Sequence, residues 1–223
     1  MIITIDGPAG SGKSTIARKL ASLLHIAHLD TGATYRAVTL KALREGVNME
    51  DPAALVDVAR RADIRLVPSD GGLRVLLDGQ DVSREIRTAE VSDKSQYVAR
   101  AGEVRSVLVD LQRKIGREVG SFATEGRDQG SVVFPHADIK FYLDASPEVR
   151  ARRRYNEMVA DGQSAVYEDV LNAIVTRDAR DKSRAVAPLT KPLGAVEVDT
   201  SNMTIEQVTA AMMRHVEALR CND

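Results

Sequence analysis

The sequence predicts an α/β fold: a parallel sheet flanked by helices, with a small β-rich insert. Three observations carry that expectation. Short runs rich in β-branched residues alternate with longer segments of helical apolar spacing, the pattern of parallel strands joined by crossover helices. A glycine-rich stretch, Gly7-Pro8-Ala9-Gly10-Ser11-Gly12-Lys13-Ser14, stands directly after the first such run and directly before the first helix. A segment dense in turn residues, 64–79, then interrupts the alternation. With 223 residues, 43% hydrophobic and 28% charged, the chain is long enough for one large core and is not of disordered composition.

Ile2-Ile3-Thr4-Ile5 reads as a buried strand, ended by Asp6-Gly7-Pro8. A helix over residues 13–24 follows, with Ile16, Leu20, Leu23 and Leu24 on its apolar stripe. A brief strand at 27–29 leads into a helix over 33–44, stopped by Gly46. Periodicity returns over 52–62, where Pro52 suits a first turn. Residues 64–67 and 73–77 flank Asp70-Gly71-Gly72 and read as a β-hairpin, and Asp78-Gly79 is a further turn signal.

Helices are expected over 89–97 and 104–117, and interior strands at Phe122-Ala123-Thr124 and 139–143. Pro147 opens a helix that runs through Arg150, Arg152, Arg153 and Arg154; another covers 167–180 after the break at Gly162, and Ala187-Pro188 ends the segment beyond it. Val196-Glu197-Val198 is the last strand. Asp199-Thr200-Ser201 leads into a final helix with Ile205, Val208, Met212 and Val216 at core spacing. No repeat or low-complexity linker divides the chain, which reads as one compact body with an insert.

Composition removes several classes of function. Lys+Arg 31 against Asp+Glu 32 gives a formal charge of -1, so no overall basic field is available for nucleic acid or an anionic membrane. No run of eighteen apolar residues suggests a membrane span, and MIITIDG lacks the basic and apolar regions of a secretory signal. Cys221, the single cysteine, permits no intrachain disulfide and no cysteine-cluster zinc site. The four histidines, His25, His28, His136 and His215, show no metal-ligand spacing. The expectation is a soluble, cytoplasmic protein. A monomer is expected too, since no heptad or long exposed apolar stripe demands a partner.

Residues 7–14 fit GxxxxGK[ST] in the strand-to-helix context that this phosphate loop requires. Glycines allow the backbone to wrap and aim successive N–H groups inward, and the helix N-terminus adds its positive dipole end. Lys13 would reach the β- and γ-phosphates of a nucleoside triphosphate, and the Ser14 hydroxyl would ligate Mg²⁺. No N/TKxD guanine-specifying segment and no LSGGQ-like signature is present, which argues against a switch GTPase and an ABC-type ATPase. What remains is rich in arginines beside glycines and acids. A small-molecule kinase needs such groups to align two mutually repelling phosphates.

Three further segments stand out: Asp30-Thr31-Gly32-Ala33-Thr34-Tyr35-Arg36; Gly126-Arg127-Asp128-Gln129-Gly130; and Arg177-Asp178-Ala179-Arg180-Asp181-Lys182-Ser183-Arg184, followed by Ala185-Val186-Ala187-Pro188-Leu189. With the phosphate loop, in this order and at these separations, they resemble the bacterial cytidylate kinases. Members of that family transfer phosphate from ATP to CMP or dCMP. The resemblance runs over nearly the whole chain, hairpin insert included. It implies a P-loop NTPase-type sheet in a single domain over 1–223: a core of 1–62, 120–148 and 185–223, an NMP-binding insert with helices at 63–119, and a helical lid at 149–184.

The resemblance also implies roles. ATP would be bound by Gly7, Gly10, Ser11, Gly12, Lys13, Ser14 and Thr15, with Mg²⁺ on Ser14. Arg153 and Arg154 fit either the donor side of the lid or a solvated helix face. Arg36 and Arg127 would grip the acceptor phosphate, and Arg184 would join them. Asp128 would accept from the 4-amino group of cytosine, where uracil presents a carbonyl oxygen instead. Arg105 would read the same ring, and Asp181 would take the pentose hydroxyls. Arg177 would approach the phosphates as the lid closes. Thr31 keeps a hydroxyl where the family often has serine, and Tyr35 either packs the nucleoside or is an ordinary core aromatic.

Gln96 departs from the family, which usually places a serine there. Ser95 is one residue early, about 100° away on a helix, whereas the Gln96 amide offers both a donor and an acceptor on a longer arm. Lys13, Arg127, Arg177 and Arg184 are the expected catalytic groups. The acceptor phosphate, with a second pKa of about 6, needs no dedicated base. Alternatives with the same motifs are a kinase of UMP, AMP or dTMP, and a slow P-loop regulatory ATPase.

Overall fold

In chain order the elements are β1 (Ile2–Asp6), α1 (Lys13–Leu24), β2 (Ala27–Asp30), α2 (Gly32–Arg44), α3 (Pro52–Arg61), β3 (Ile64–Ser69), β4 (Gly72–Leu77) and β5 (Gln80–Asp81). They continue with α4 (Ala89–Arg100), α5 (Gly102–Val119), β6 (Phe122–Gly126), β7 (Ile139–Asp144), α6 (Pro147–Ala160), α7 (Tyr167–Lys182), β8 (Val196–Asp199) and α8 (Ile205–Arg220). A 3-10 turn at Glu85–Arg87 and a π-turn at Gln129–Val133 are additions that periodicity does not announce. This computed structural model describes residues 1–69, 72–184 and 186–220. Asp70 and Gly71 of the expected turn, Ala185 and Cys221 lie outside the described residues.

Two compact units emerge, Met1–Ile26 with Ala123–Asp223, and Ala27–Phe122. In the first, the strands run in the order β6-β1-β7-β8. β1 pairs in parallel with β7 (Ile3 opposite Ile139, Ile5 opposite Phe141), and β7 pairs in parallel with β8 (Leu143 opposite Val198). Ile3, Ile5, Phe141 and Leu143 are fully buried and share one core with Ile16 and Leu20 of α1 and Val208 and Met212 of α8. β1, buried at four of its five positions, reads as a strand covered on both faces, whereas β8 alternates, with Glu197 and Asp199 exposed.

Two residues expected in that core are not there. Leu23 is 52% exposed. At 100° per residue it falls about 20° beyond Ile16, just off the buried arc that Ile16, Leu20 and Leu24 define. Ile205, 46% exposed, begins α8 and lines an open cleft instead of the sheet. Elsewhere in this unit α6 and α7 pack on each other through Ala151, Val170 and Ile174. Ser146 caps α6 by accepting from the Val149 N–H, one position before Pro147.

The second unit has its own core, in which Val38 of α2, Leu55 and Val58 of α3, Leu77 of β4 and Val104 and Leu108 of α5 meet. Because α2 and α3 bury their apolar faces there, this unit begins at Ala27, earlier than residue 63 where the insert is expected to start. The hairpin is confirmed: β3 pairs antiparallel with β4, and β4 with the short β5. Between the partners Leu77 and Gln80, Asp78 and Gly79 both take positive φ (50° and 82°), as a tight two-residue hairpin turn requires. The N–H of Ala27 donates to the carbonyl of Ser121 at 3.2 Å, so the two ends of this unit lie side by side.

Candidate active site

The phosphate loop occupies the carboxyl end of β1 and the N-terminus of α1. Gly7 has φ 149°, and a Cβ placed on it would come within 2.0 Å of the Leu143 carbonyl oxygen, so no side chain fits. Gly10 has φ 77° and lies against Arg150, whose Cβ would be 3.2 Å from an added one. Lys13 is buried, and its Nζ donates to the Pro8 carbonyl at 2.6 Å. Ser11 Oγ donates to that same carbonyl at 3.1 Å. The loop thus folds around its own lysine.

Charges of both signs crowd around this lysine. Burial, then the nearby guanidiniums of Arg127 and Arg177, hold the Lys13 ammonium well below its usual range, while Glu125 and Asp6 act in the opposite direction. Arg177 is likewise pushed down by burial and by Arg127 and Arg184, against Asp181 and Asp178. Arg177 lines an open cleft, so this convergence of cations is accessible to an anion from solvent.

Arg127 donates through Nε to Asp181 Oδ2 at 2.9 Å and through Nη1 to the Gly126 carbonyl at 3.3 Å. Arg184 Nη2 pairs with the other oxygen of Asp181. Asp181 is only 2% exposed, so one buried carboxylate orders two guanidiniums. Asp128 is buried beside them at the start of the π-turn.

The basic cluster of α6 divides. Arg150 is buried, donating to the carbonyls of Ala145 (2.8 Å) and Ala9 (2.9 Å) and pairing with Asp178 at 2.6 Å. Arg152 lies over the Tyr167 ring, 4.2 Å from its centre. Arg153 donates to the hydroxyl and carbonyl of Thr200 at 3.1 and 2.5 Å. Arg154 is mostly solvated and pairs with Glu157 at 3.3 Å. Arg153 and Arg154 both line a cleft of about 1180 Å³ whose floor is Gly10 to Thr15. Met158, Val170, Ile174 and Arg177 form one wall, and Met203, Ile205 and Val208 another.

The second unit carries a separate constellation. Asp30 accepts from the Ala33 N–H at 3.1 Å and pairs with Arg36 at 2.9 Å and Arg87 at 3.3 Å. Arg36 Nε is buried with no hydrogen-bond partner among the described residues. Thr31, buried, stands at the N-cap of α2, and its carbonyl accepts from Thr34. Arg105 is 4% exposed, its guanidinium 5.5 Å from the centre of the Tyr35 ring. Tyr35 also packs on the unit's apolar core, so it serves as a core aromatic and as a seat for Arg105. Gln96 is half-buried on α4, while the Ser95 hydroxyl turns back to the Ser92 carbonyl at 2.8 Å.

The cytidylate kinase family model matches residues 3–218. The chain belongs to the cytidylate kinase family. A cytidylate kinase of Caldanaerobacter subterraneus subsp. tengcongensis is 50% identical over 220 residues, which cover 99% of this chain and 95% of that protein. One of Desulforamulus reducens is 49% identical, covering 96% of each. Among solved structures, an uncharacterized protein from Eubacterium ventriosum superposes with a TM-score of 0.53 at 15% identity, covering 97% of this chain and 98% of that one, a likeness of fold alone. No helix among the described residues of the kinase is long and apolar enough to cross a membrane.

Sequence reasoning about the kinase missed two residues of the phosphate site. Glu125 is the last residue but one of β6, and its Oε1 accepts from the Ser14 hydroxyl at 2.8 Å. Its signal was an acid at the carboxyl end of a parallel strand, where ligand crevices of α/β sheets open. Arg150 gave no signal apart from its three neighbours in a basic run; only the fold shows that it alone of the four is buried, against the phosphate loop.

Proposed function

We propose that the kinase transfers the γ-phosphoryl group of Mg-ATP to CMP or dCMP, giving ADP and CDP or dCDP. The observation that carries this reading is the convergence of Lys13, Arg127 and Arg177 beside a glycine loop. A triphosphate offers these cations phosphate oxygens to hold. In this reading ATP lays its phosphates on Gly7 to Thr15 and its base in the apolar part of the cleft, near Arg153. Lys13 then exchanges the Pro8 carbonyl for phosphate oxygens.

Ser14 and Glu125 offer a hydroxyl and a carboxylate, the hard oxygen donors that Mg²⁺ takes together with phosphates and water. Mg²⁺ held by these two residues would supply neutralisation of the charge on the donor phosphates. Lys13, Arg127, Arg177 and Arg184 carry the rest by holding donor and acceptor oxygens in line. Asp181 keeps Arg127 and Arg184 in order until the acceptor phosphate draws on them, and it is also assigned the pentose.

On the acceptor side, Arg36 with its unpartnered Nε takes phosphate, together with Thr31. The family resemblance assigns Asp128, Arg105 and Gln96 to the cytosine ring, and Tyr35 supports Arg105. The kinase is proposed to act as a cytoplasmic monomer on free nucleotides, without nucleic acid, in keeping with its net charge of -1. The test is ADP production from Mg-ATP with CMP, dCMP, UMP, AMP, GMP and dTMP supplied separately. CMP and dCMP should lead by about two orders of magnitude in kcat/KM, because a misplaced donor or acceptor at a base is heavily penalised. Equal use of UMP would mean that Gln96 has altered the base site. No acceleration by any monophosphate would leave only ATP binding.

A further inference from the structure

We propose that Asp6 is a positioning residue for acceptor recognition: from inside the core it fixes the backbone that carries Arg127 and Asp128. Asp6 is the last residue of β1 and is fully buried. Its Oδ1 accepts from the Gln129 N–H at 2.8 Å and its Oδ2 from the Gly130 N–H at 2.7 Å. Those are the first two N–H groups of the π-turn, which have no partner within the turn itself.

Ordinarily the residue at the cap position supplies that acceptor. Here Asp128 stands at the cap and makes no side-chain cap bond. A carboxylate 123 positions before Gln129 does the capping instead. Space confirms how closely the two segments are fitted. A Cβ on Gly130 would meet Asp6 Oδ2 at 3.2 Å and Thr4 Oγ1 at 2.7 Å.

Stability alone gives a poor reason for an acid at this place. Burial raises the Asp6 carboxyl to about 6, the two N–H bonds and Lys13 work against that rise, and Asp128 adds to it. A buried charge kept at such cost is best explained by what it orders. Asp6 also directly precedes Gly7, so one residue sets the origin of the phosphate loop and the start of the Arg127–Asp128 segment. The proposal rests on the reading that Asp128 and Arg127 engage the acceptor.

Asp6→Asn is nearly isosteric, but its amide nitrogen would face one of the two N–H groups and leave it unpaired. Gly130→Ala disturbs the same contact from the opposite side, and it carries the test should D6N fail to fold. D128A serves as the reference for base selection. The measurements are kcat/KM for CMP and for UMP, and the Kd for ATP without acceptor. D6N or G130A should lower the CMP/UMP ratio at least about tenfold while ATP affinity stays within about threefold. A ratio within about twofold of wild type in a folded variant, with D128A having lost it, overturns the role of Asp6. Equal losses in ATP affinity and CMP use would also overturn it, because Asp6 would then act on the phosphate loop alone. If D128A itself keeps the ratio, the acceptor reading fails, and that failure is recognisable without reference to Asp6.

Discussion

Ser14 donates its hydroxyl to Glu125 at 2.8 Å, joining the first helical turn after the phosphate loop to the end of a strand 111 residues later. Both groups are oxygen donors at the place where the donor phosphates would lie. Glu125→Gln keeps the shape and one acceptor but removes the charge. Outer-shell or ligand changes of this kind usually cost 10–100-fold in metal affinity. A magnesium titration of ADP production should therefore shift its midpoint upward by about that factor, and an unshifted midpoint would remove Glu125 from the ion's surroundings.

Lys13→Met should separate activity from stability. Removing a preorganised cation from the phosphate site should lower kcat by about 10²–10³ or more. Since burial and two arginines disfavour the ammonium, its loss relieves repulsion. Thermal denaturation without nucleotide should give a Tm no lower than wild type, and a marked drop would mean that the Lys13 bond to Pro8 outweighs that repulsion.

Arg150→Ala should do the opposite. It strands the buried Asp178 carboxylate and releases the carbonyls of Ala9 and Ala145. Breaking a buried pair by removing one partner typically costs about 3–5 kcal/mol. Urea unfolding should register a loss of that size, accompanied by weaker ATP binding as Ala9 loses its anchor. A variant as stable as wild type would show that water replaces the guanidinium.

The raised Asp6 carboxyl predicts a pH dependence of definite sign. Its folded value of about 6 exceeds the ordinary 3.8, so the folded protein holds the proton over that interval while the unfolded chain releases it. Stability from this group is therefore fullest below 3.8 and is lost as pH rises through about 6, on the order of 3 kcal/mol in all. Between pH 4.5 and 7.5, wild type should lose roughly 2 kcal/mol more than D6N by urea unfolding. Equal losses would mean that Asp6 stays ionised throughout.

Local motifs were legible in the sequence because their chemistry is contiguous. The phosphate loop needs its glycines and Lys13 within eight residues, and Asp78-Gly79 specifies its turn by itself. The hidden parts join residues far apart. Asp6 with Gly130, Ser14 with Glu125 and Arg150 with Ala9 are each separated by more than a hundred positions. Nothing in a local pattern marks one arginine of a run of four as buried. Leu23 and Ile205 fit helical spacing yet escape the core, since periodicity fixes a face and not what covers it. The early start of the second unit was hidden for a related reason: α2 and α3 look like any α/β crossover helices until their packing partners are known.

The bond between Ala27 and Ser121 has a consequence for how such a kinase can change. A stretch of chain that leaves and returns at one spot can be exchanged as a cassette, because adjacent ends ask little of what they are joined to. Arg36, Gln96 and Arg105 would travel with it; Lys13 and Arg177 would stay. The share of acceptor recognition that those three residues carry could then vary by recombining a single uninterrupted piece of gene, while Arg127, Asp128 and the machinery that handles the triphosphate are inherited unaltered.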